Sequence, residues 1–228
     1  MNYVKLHEWN LSYSEAVSLQ NELKRKLIHK SVSKIPELVA GVDISFPSKY
    51  VGLCVIVILD KQSNVIDYVQ YSDKIDFPYI PGLLSFREGP LFLKTLKKLK
   101  TKPELFFFDG QGIAHPRGLG LAAHMGLFLQ IPTIGIAKSK LFGTFNEPER
   151  TKGNWSALFG RENKIIGAVL RTRTNTKPVF VSPGHMIDVI SSVRITLAFT
   201  KTFKIPEPTR RAHILTQKLK PSLDDKKL

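Results

Sequence analysis

The run Leu105-Phe-Phe-Phe-Asp109-Gly-Gln-Gly-Ile-Ala-His115-Pro-Arg117 constrains the fold more than any other part of the chain. Four apolar residues without polar alternation, three of them aromatic, predict a short strand buried on both faces. Strands of that kind belong to sheets covered by helices on each side. The run ends on a carboxylate, glycines follow, and a helical pattern occupies 117–130. Ligands of open α/β sheets gather beyond the carboxyl ends of parallel strands, so Asp109 would sit on rigid backbone within reach of a substrate. An ordinary strand-to-helix turn would use Asp109 and Gly110 equally well. The other carboxylates of the chain tilt the reading toward chemistry.

The surrounding pattern is that of a mixed α/β sandwich forming one domain over 1–228. Ser12-Tyr-Ser-Glu15 fits a capping box, and Ala16, Leu19, Leu23 and Leu27 keep helical spacing, which predicts an N-terminal helix over 12–30. Apolar stretches at 38–46, 51–59 and 65–71 are joined by short turns and read as antiparallel neighbours. Two prolines stiffen Asp76-Phe-Pro78-Tyr79-Ile80-Pro81-Gly82 into a loop. A helix in the 90s is expected to start near Pro90. A capping box at Ser85-Phe-Arg-Glu88 would instead put that proline in the second turn. A buried strand at 131–136, an exposed excursion at 142–163, and a hairpin of 164–173 with 177–182 come next. Ser182-Pro183 then reads as a helix start, with His185 in its first turn. A basic helix opens at Pro206 and a frayed tail covers 220–228.

Thirty-four Lys and Arg against nineteen Asp and Glu give a formal charge of +15, which suits a polyanionic partner. A heat-adapted or simply lysine-rich surface would give the same excess. No apolar run approaches the roughly 20 residues of a membrane span, and residues 1–8 lack the core of a signal peptide. The single cysteine, Cys54, lies in a strand pattern and builds neither a disulfide framework nor a cysteine metal site. These features are read as those of an intracellular, cytoplasmic protein with no membrane partner; a monomer is expected, although nothing in the sequence fixes the oligomeric state.

Asp43 and Asp109 each end an apolar strand. If the two strands are parallel neighbours, both carboxylates leave the sheet at one edge. Two such charges ~4 Å apart repel by about 4 kcal/mol at an effective dielectric near 20, so the pair must share a proton or hold a cation. Mg²⁺ prefers carboxylate and water oxygens and leaves positions for phosphate. Glu88, Lys138 and His213 could complete a site for metal-assisted phosphodiester hydrolysis: a third carboxylate, a cation for phosphate charge, and a group for water. Each has an ordinary alternative as a turn former, helix cap, surface charge or exposed helical histidine. Their joint arrangement favours function.

Val-Ala-Gly-Val-Asp43, Pro78-Tyr-Ile-Pro-Gly82, Ser85-Phe-Arg-Glu88-Gly-Pro90, Phe108-Asp109-Gly-Gln-Gly-Ile-Ala-His115-Pro-Arg117, Ile131-Pro-Thr-Ile-Gly-Ile-Ala-Lys138-Ser and Pro208-Thr-Arg-Arg-Ala-His213 resemble the motifs of the endonuclease V family, in order, from about residue 38 to 215. The resemblance implies a ribonuclease H-like mixed β-sheet flanked by helices. It also implies a Mg²⁺-dependent repair endonuclease, with Mn²⁺ as a substitute, that nicks deoxyinosine-containing DNA at the second phosphodiester 3′ to the lesion. Carried over by motif, Asp43, Glu88 and Asp109 would bind metal, while Lys138 and His213 would assist at the phosphate. Pro78, Tyr79, Ile80 and Pro81 would form a strand-separating wedge. Gly82, Leu84, Gly110 and Gly112 would line the pocket for an extruded hypoxanthine, and His115 would brace it or touch phosphate. Such a pocket can read the O6 and N1–H that separate hypoxanthine from adenine. Some relatives act on inosine in RNA, so an inosine-specific ribonuclease is the nearest alternative. A non-catalytic nucleic-acid binder and a small-molecule phosphatase are more remote, because the carboxylates, the wedge and the +15 charge would lose their purpose.

Overall fold

The computed structural model describes residues 1–220, so 221–228 of the expected tail lie outside the described residues. Five helices and eight strands alternate along the chain: α1 Tyr13–Leu23, β1 Leu38–Ser48, β2 Val51–Asp60, β3 Val65–Lys74, α2 Leu84–Leu96, β4 Leu105–Asp109, α3 Leu121–Leu129, β5 Thr133–Ala137, β6 Trp155–Phe159, β7 Ile165–Leu170, β8 Val179–Pro183, α4 Val189–Ala198 and α5 Glu207–Leu219. The strands form one sheet in the order β3-β2-β1-β4-β5-β8-β7-β6. β1, β2 and β3 are an antiparallel meander; β1, β4 and β5 are parallel; the remaining pairings are antiparallel.

The phenylalanine run explains the two layers. Strand alternation sends Phe107 to one face, among Val39, Ile134, Phe199 and Ala212 beneath α4 and α5. Phe106 and Phe108 go to the other, against Phe92 of α2 and Met125 and Phe128 of α3. Both faces are therefore dry, as an all-apolar strand requires. Among the described residues, no helix is long and apolar enough to cross a membrane.

Several boundaries differ from expectation. The N-terminal helix has its capping box at Ser12 and Glu15 but stops at Leu23, with a short 3₁₀ turn at Lys24–Lys26. Beyond it the chain crosses to α4 and the segment before it, where Ile28 donates its amide to His185 Nδ1 and Val32 to Ser191 Oγ. Helix α2 begins at Leu84, not near Pro90, and the proline is accommodated inside it. The lost helical bond is offset by burial of Phe86, Leu91, Phe92, Leu93 and Leu96 along the helix. Ser182-Pro183 does not open a helix. Pro183 ends β8 opposite Ile134, where its carbonyl accepts from Ile113 N–H and no amide is needed. Asp188 caps α4 instead, its carboxylate accepting from Ser191 N–H. The helix expected over 117–130 is confined to α3, because 110–120 is a loop that folds back over β5 and β8. The excursion at 142–163 contains β6, a half-exposed edge strand whose weak alternation hid it.

Candidate metal centre and adjoining cavity

Register sets the first part of the site. The parallel ladder of β1 and β4 runs from Val39–Leu105 to Val42–Phe108, so the next residue on each strand is an aspartate, Asp43 and Asp109. Both fall on the face covered by α5 by alternation. β1 continues past this point as a hairpin arm with β2, so Asp43 is interior to its strand although it stands at the end of the parallel sheet. Helix α5 lies so close to β1 that a Cβ on Gly41 would fall 1.9 Å from the carbonyl oxygen of Pro208. That approach brings His213 Nδ1 to 3.5 Å from Asp43 Oδ1. Thr216, one turn on, donates its hydroxyl hydrogen to Asp43 Oδ2. Ligand atoms of Asp43, Asp109 and His213 all lie within 4.8 Å of one another.

Glu88 enters from α2 and is buried, with 7% of its surface exposed. Burial, and then the charges of Asp43 and Asp109, push its carboxyl pKa up to about 8. The Asp43 carboxyl is also raised, chiefly by burial, with Asp109 adding to the shift while Thr216 and His213 oppose it. Lys138, just past β5, places Nζ 3.2 Å from Asp109 Oδ2 and is half exposed. Asp43, Asp109 and His213 form a group able to meet one ion, and the buried Glu88 carboxyl, outside that group, is near enough for the two aspartates to raise it. The oxygen-rich donor set, with one imidazole at the edge, fits a hard divalent cation such as Mg²⁺ or Mn²⁺.

A cavity of about 130 Å³ is walled by Tyr79, Ile80, Pro81, Gly82, Leu84 and His115 among others; no cluster residue lines it, but its wall includes Ser85, one turn before Glu88, and Gln111, two residues past Asp109. The cavity is somewhat smaller than the void of about 150 Å³ that holds a benzene ring in an apolar core. Gly110 and Gly112 are not in its wall. Gly110 packs beside Leu121, which is, while Gly112 lies against β8 and donates its amide to Ser182 Oγ at 2.6 Å. Gly82 adopts φ +80°, a turn conformation that side chains resist. Its carbonyl accepts from three donors: Gln20 Nε2 at 3.0 Å, His115 Nε2 at 3.1 Å and Arg117 Nη2 at 2.7 Å. His115 Nδ1 accepts from Arg117 N–H, and burial together with the Arg117 charge lowers its pKa to about 4. His115 is therefore a neutral brace at physiological pH.

Above the cavity, Tyr79 is 69% exposed on its proline-framed loop. Arg87 fastens that loop, donating to the carbonyls of Phe77 at 2.6 Å and Lys49 at 3.1 Å while its guanidinium covers the Phe46 ring. His185 belongs to neither feature, being packed beneath 27–32 where its Nδ1 accepts from Ile28. Sequence reasoning did not single out Gln20, Arg87 or Thr216. Gln20 carried a legible signal, a polar residue on the apolar stripe of Ala16 and Leu23. Thr216 stands three residues from His213, hence on its helix face.

The family model for endonuclease V matches residues 21–214. A curated endonuclease V of Kosmotoga olearia is 57% identical over 215 residues, covering 94% of this chain and 95% of its own. The crystal structure of an endonuclease V from Bacillus subtilis superposes with a TM-score of 0.90 at 31% identity, covering 98% of each chain. That of Ciona intestinalis endonuclease V, in complex with a 24mer DNA containing an inosine followed by a ribo-adenosine, gives 0.82 at 28% identity, covering 92% of this chain and 98% of the other. The ribonuclease H-like fold is thus shared. Since the matched span takes in Asp43, Glu88, Asp109, Lys138 and His213 together, the chain belongs to the endonuclease V family of phosphodiester-cleaving nucleases.

Proposed function

We propose that this protein is a Mg²⁺-dependent repair endonuclease that recognises deoxyinosine in DNA and nicks the second phosphodiester on its 3′ side. The observation that carries the reading is that helix α2 and the β4 turn supply both a partly buried carboxylate cluster and the wall of a small cavity that an exposed tyrosine also lines. The inosine-containing DNA held by the Ciona intestinalis relative supports the same substrate. Asp43, Glu88 and Asp109, with His213 at the edge, would hold the cation. When bound, the cation stabilises charge on the scissile phosphate and makes a water nucleophilic near neutral pH. The side chains do the rest. Lys138 offsets phosphate charge beside Asp109. His213, with Nδ1 turned to Asp43, keeps Nε2 for a water or a phosphate oxygen.

Tyr79 and its prolines would fill the space that the extruded base leaves, at little entropic cost because the loop is already stiff. Extrusion costs a few kcal/mol, and less at a mispaired base. Leu84 and the backbone of the 82–85 turn would face the ring. Gly110 and Gly112 would shape the loop behind it. The whole described chain would act as one domain and as a monomer.

A second reading, cleavage of inosine-containing RNA, is favoured by the ribo-adenosine that follows inosine in the relative's ligand. One assay separates the two: purified protein with inosine-containing DNA and RNA strands and unmodified controls, in Mg²⁺ or EDTA. The expected product is a DNA nick one nucleotide beyond the inosine's 3′ phosphate, lost in EDTA. Faster cleavage of the RNA strand would reverse the order of the two readings.

A further inference from the structure

Ser85 belongs to the first turn of α2 and to the cavity wall, and its Oγ lies 2.9 Å from His124 Nδ1. His124 Nε2 lies 2.8 Å from His7 Nε2, and His7 Nδ1 lies 2.7 Å from the carbonyl oxygen of Glu8. The two imidazoles are packed among the rings of Trp9, Phe86 and Phe128. Burial holds both below the ordinary histidine pKa, so each carries a single ring proton at neutral pH.

The direction of every hydrogen bond in this chain follows from its far end. A carbonyl oxygen can only accept, so the His7 proton is on Nδ1. His7 Nε2 is then bare and accepts from His124 Nε2–H. His124 Nδ1 is bare in turn and accepts from Ser85. The hydroxyl hydrogen of Ser85 is committed to the interior, and its oxygen has only lone pairs left for the cavity.

We propose that Ser85 is a specificity residue: its oxygen, kept an acceptor by His124 and His7, takes a hydrogen bond from the N1–H of a 6-oxopurine and disfavours adenine, whose N1 is itself an acceptor. The inference rests on the reading of the cavity as a base pocket. A serine free to rotate would satisfy either ring, since a hydroxyl both donates and accepts. The His7–His124 relay removes that freedom. Discrimination of this kind comes from leaving a buried polar pair unmatched for the wrong base.

The test compares wild-type protein and Ser85→Ala on three DNA strands carrying deoxyinosine, deoxynebularine or deoxyadenosine. Nebularine has the same ring with a bare N1 and no O6. Ser85→Ala should slow inosine nicking by on the order of 10–100-fold and leave nebularine nearly unchanged, so the preference between them shrinks by that same factor. Equal losses on both strands, or none on inosine, would overturn the proposal. Imidazole ¹⁵N spectra of the wild-type protein supply a readout independent of catalysis. His124 should be protonated at Nε2 alone and His7 at Nδ1 alone; a proton on His124 Nδ1 would overturn the proposal. Wild-type protein that leaves inosine strands intact refutes the base-pocket reading and this inference with it. Inosine nicking with reversed tautomers or parallel losses refutes this inference alone.

Discussion

Helix α2 sends one polar side chain into each half of the site, Ser85 to the cavity and Glu88 to the carboxylate cluster, and the two halves obey opposite electrostatic rules. Around the cavity, Gln20, Ser85, His115, Arg117 and His124 are all hydrogen-bonded, and both histidines are held neutral. Around the metal-binding candidates the acids gather, and the carboxyls of Glu88 and Asp43 are both raised, first of all by burial. One half is finished before a ligand arrives; the other would be completed by the cation proposed above. A neutral base is best met by fixed dipoles, and a phosphate by a charge that must be imported.

The largest break in this contrast is expected from removing an acid. Asp43→Asn or Asp109→Ala should lower Mg²⁺-supported nicking by roughly 10³-fold or more, within the range seen when a main charge-stabilising group is lost. Binding of inosine-containing DNA should fall far less in a gel-shift measurement. Comparable losses in binding and nicking would mean that the halves are not separable.

The next concerns stability without metal. Glu88 is an acid whose folded pKa, about 8, exceeds its ordinary value of 4.5, so the folded state keeps a proton that the unfolded chain has released. Stability must then decline as pH rises from about 4.5 to about 8, by a few kcal/mol in all. Thermal melts in EDTA should show this slope, Glu88→Gln should flatten it, and added Mg²⁺ should restore stability at the alkaline end. The cavity contributes a slope of opposite sign: His115 titrates near 4 in the folded protein against an ordinary 6.5, so its part of the stability rises with pH between those values, and the Glu88 decline stands alone only above about 6.5.

Smaller effects separate the entrance from both halves. Tyr79→Ala should reduce the preference for inosine over plain duplex by about tenfold, the scale of a lost base–aromatic contact, with the melting temperature unmoved. Lys138→Ala should cost at most about 1 kcal/mol of stability, because its pair with Asp109 is exposed, while slowing nicking measurably.

Much of this was legible in the chain because local pattern and topology agreed. Phe106, Phe107 and Phe108 announced a strand dry on both faces, and the strand's terminal acid fell beside Asp43 once β1 and β4 paired in parallel. Pro183 misled because the residue that begins helices so well also ends a strand well when only its carbonyl is used. Pro90 misled because helix propensity was outweighed by the burial of Phe86 and Phe92 on either side of it. The triple support of the Gly82 carbonyl could not be read at all. Gln20 reaches it across 62 residues and Arg117 across 35, and no spacing rule links such distances. The relay through His7 and His124, 117 residues apart, was hidden for the same reason.

The close seat of α5 on β1, made possible by the bare backbone of Gly41, has a bearing on how the rim is completed. Asp43 and Asp109 are fixed by strand pairing, whereas His213 and Thr216 depend on where a single helix lies. Any side chain at position 41 would lift that helix and withdraw both residues from Asp43 without unpairing the strands beneath.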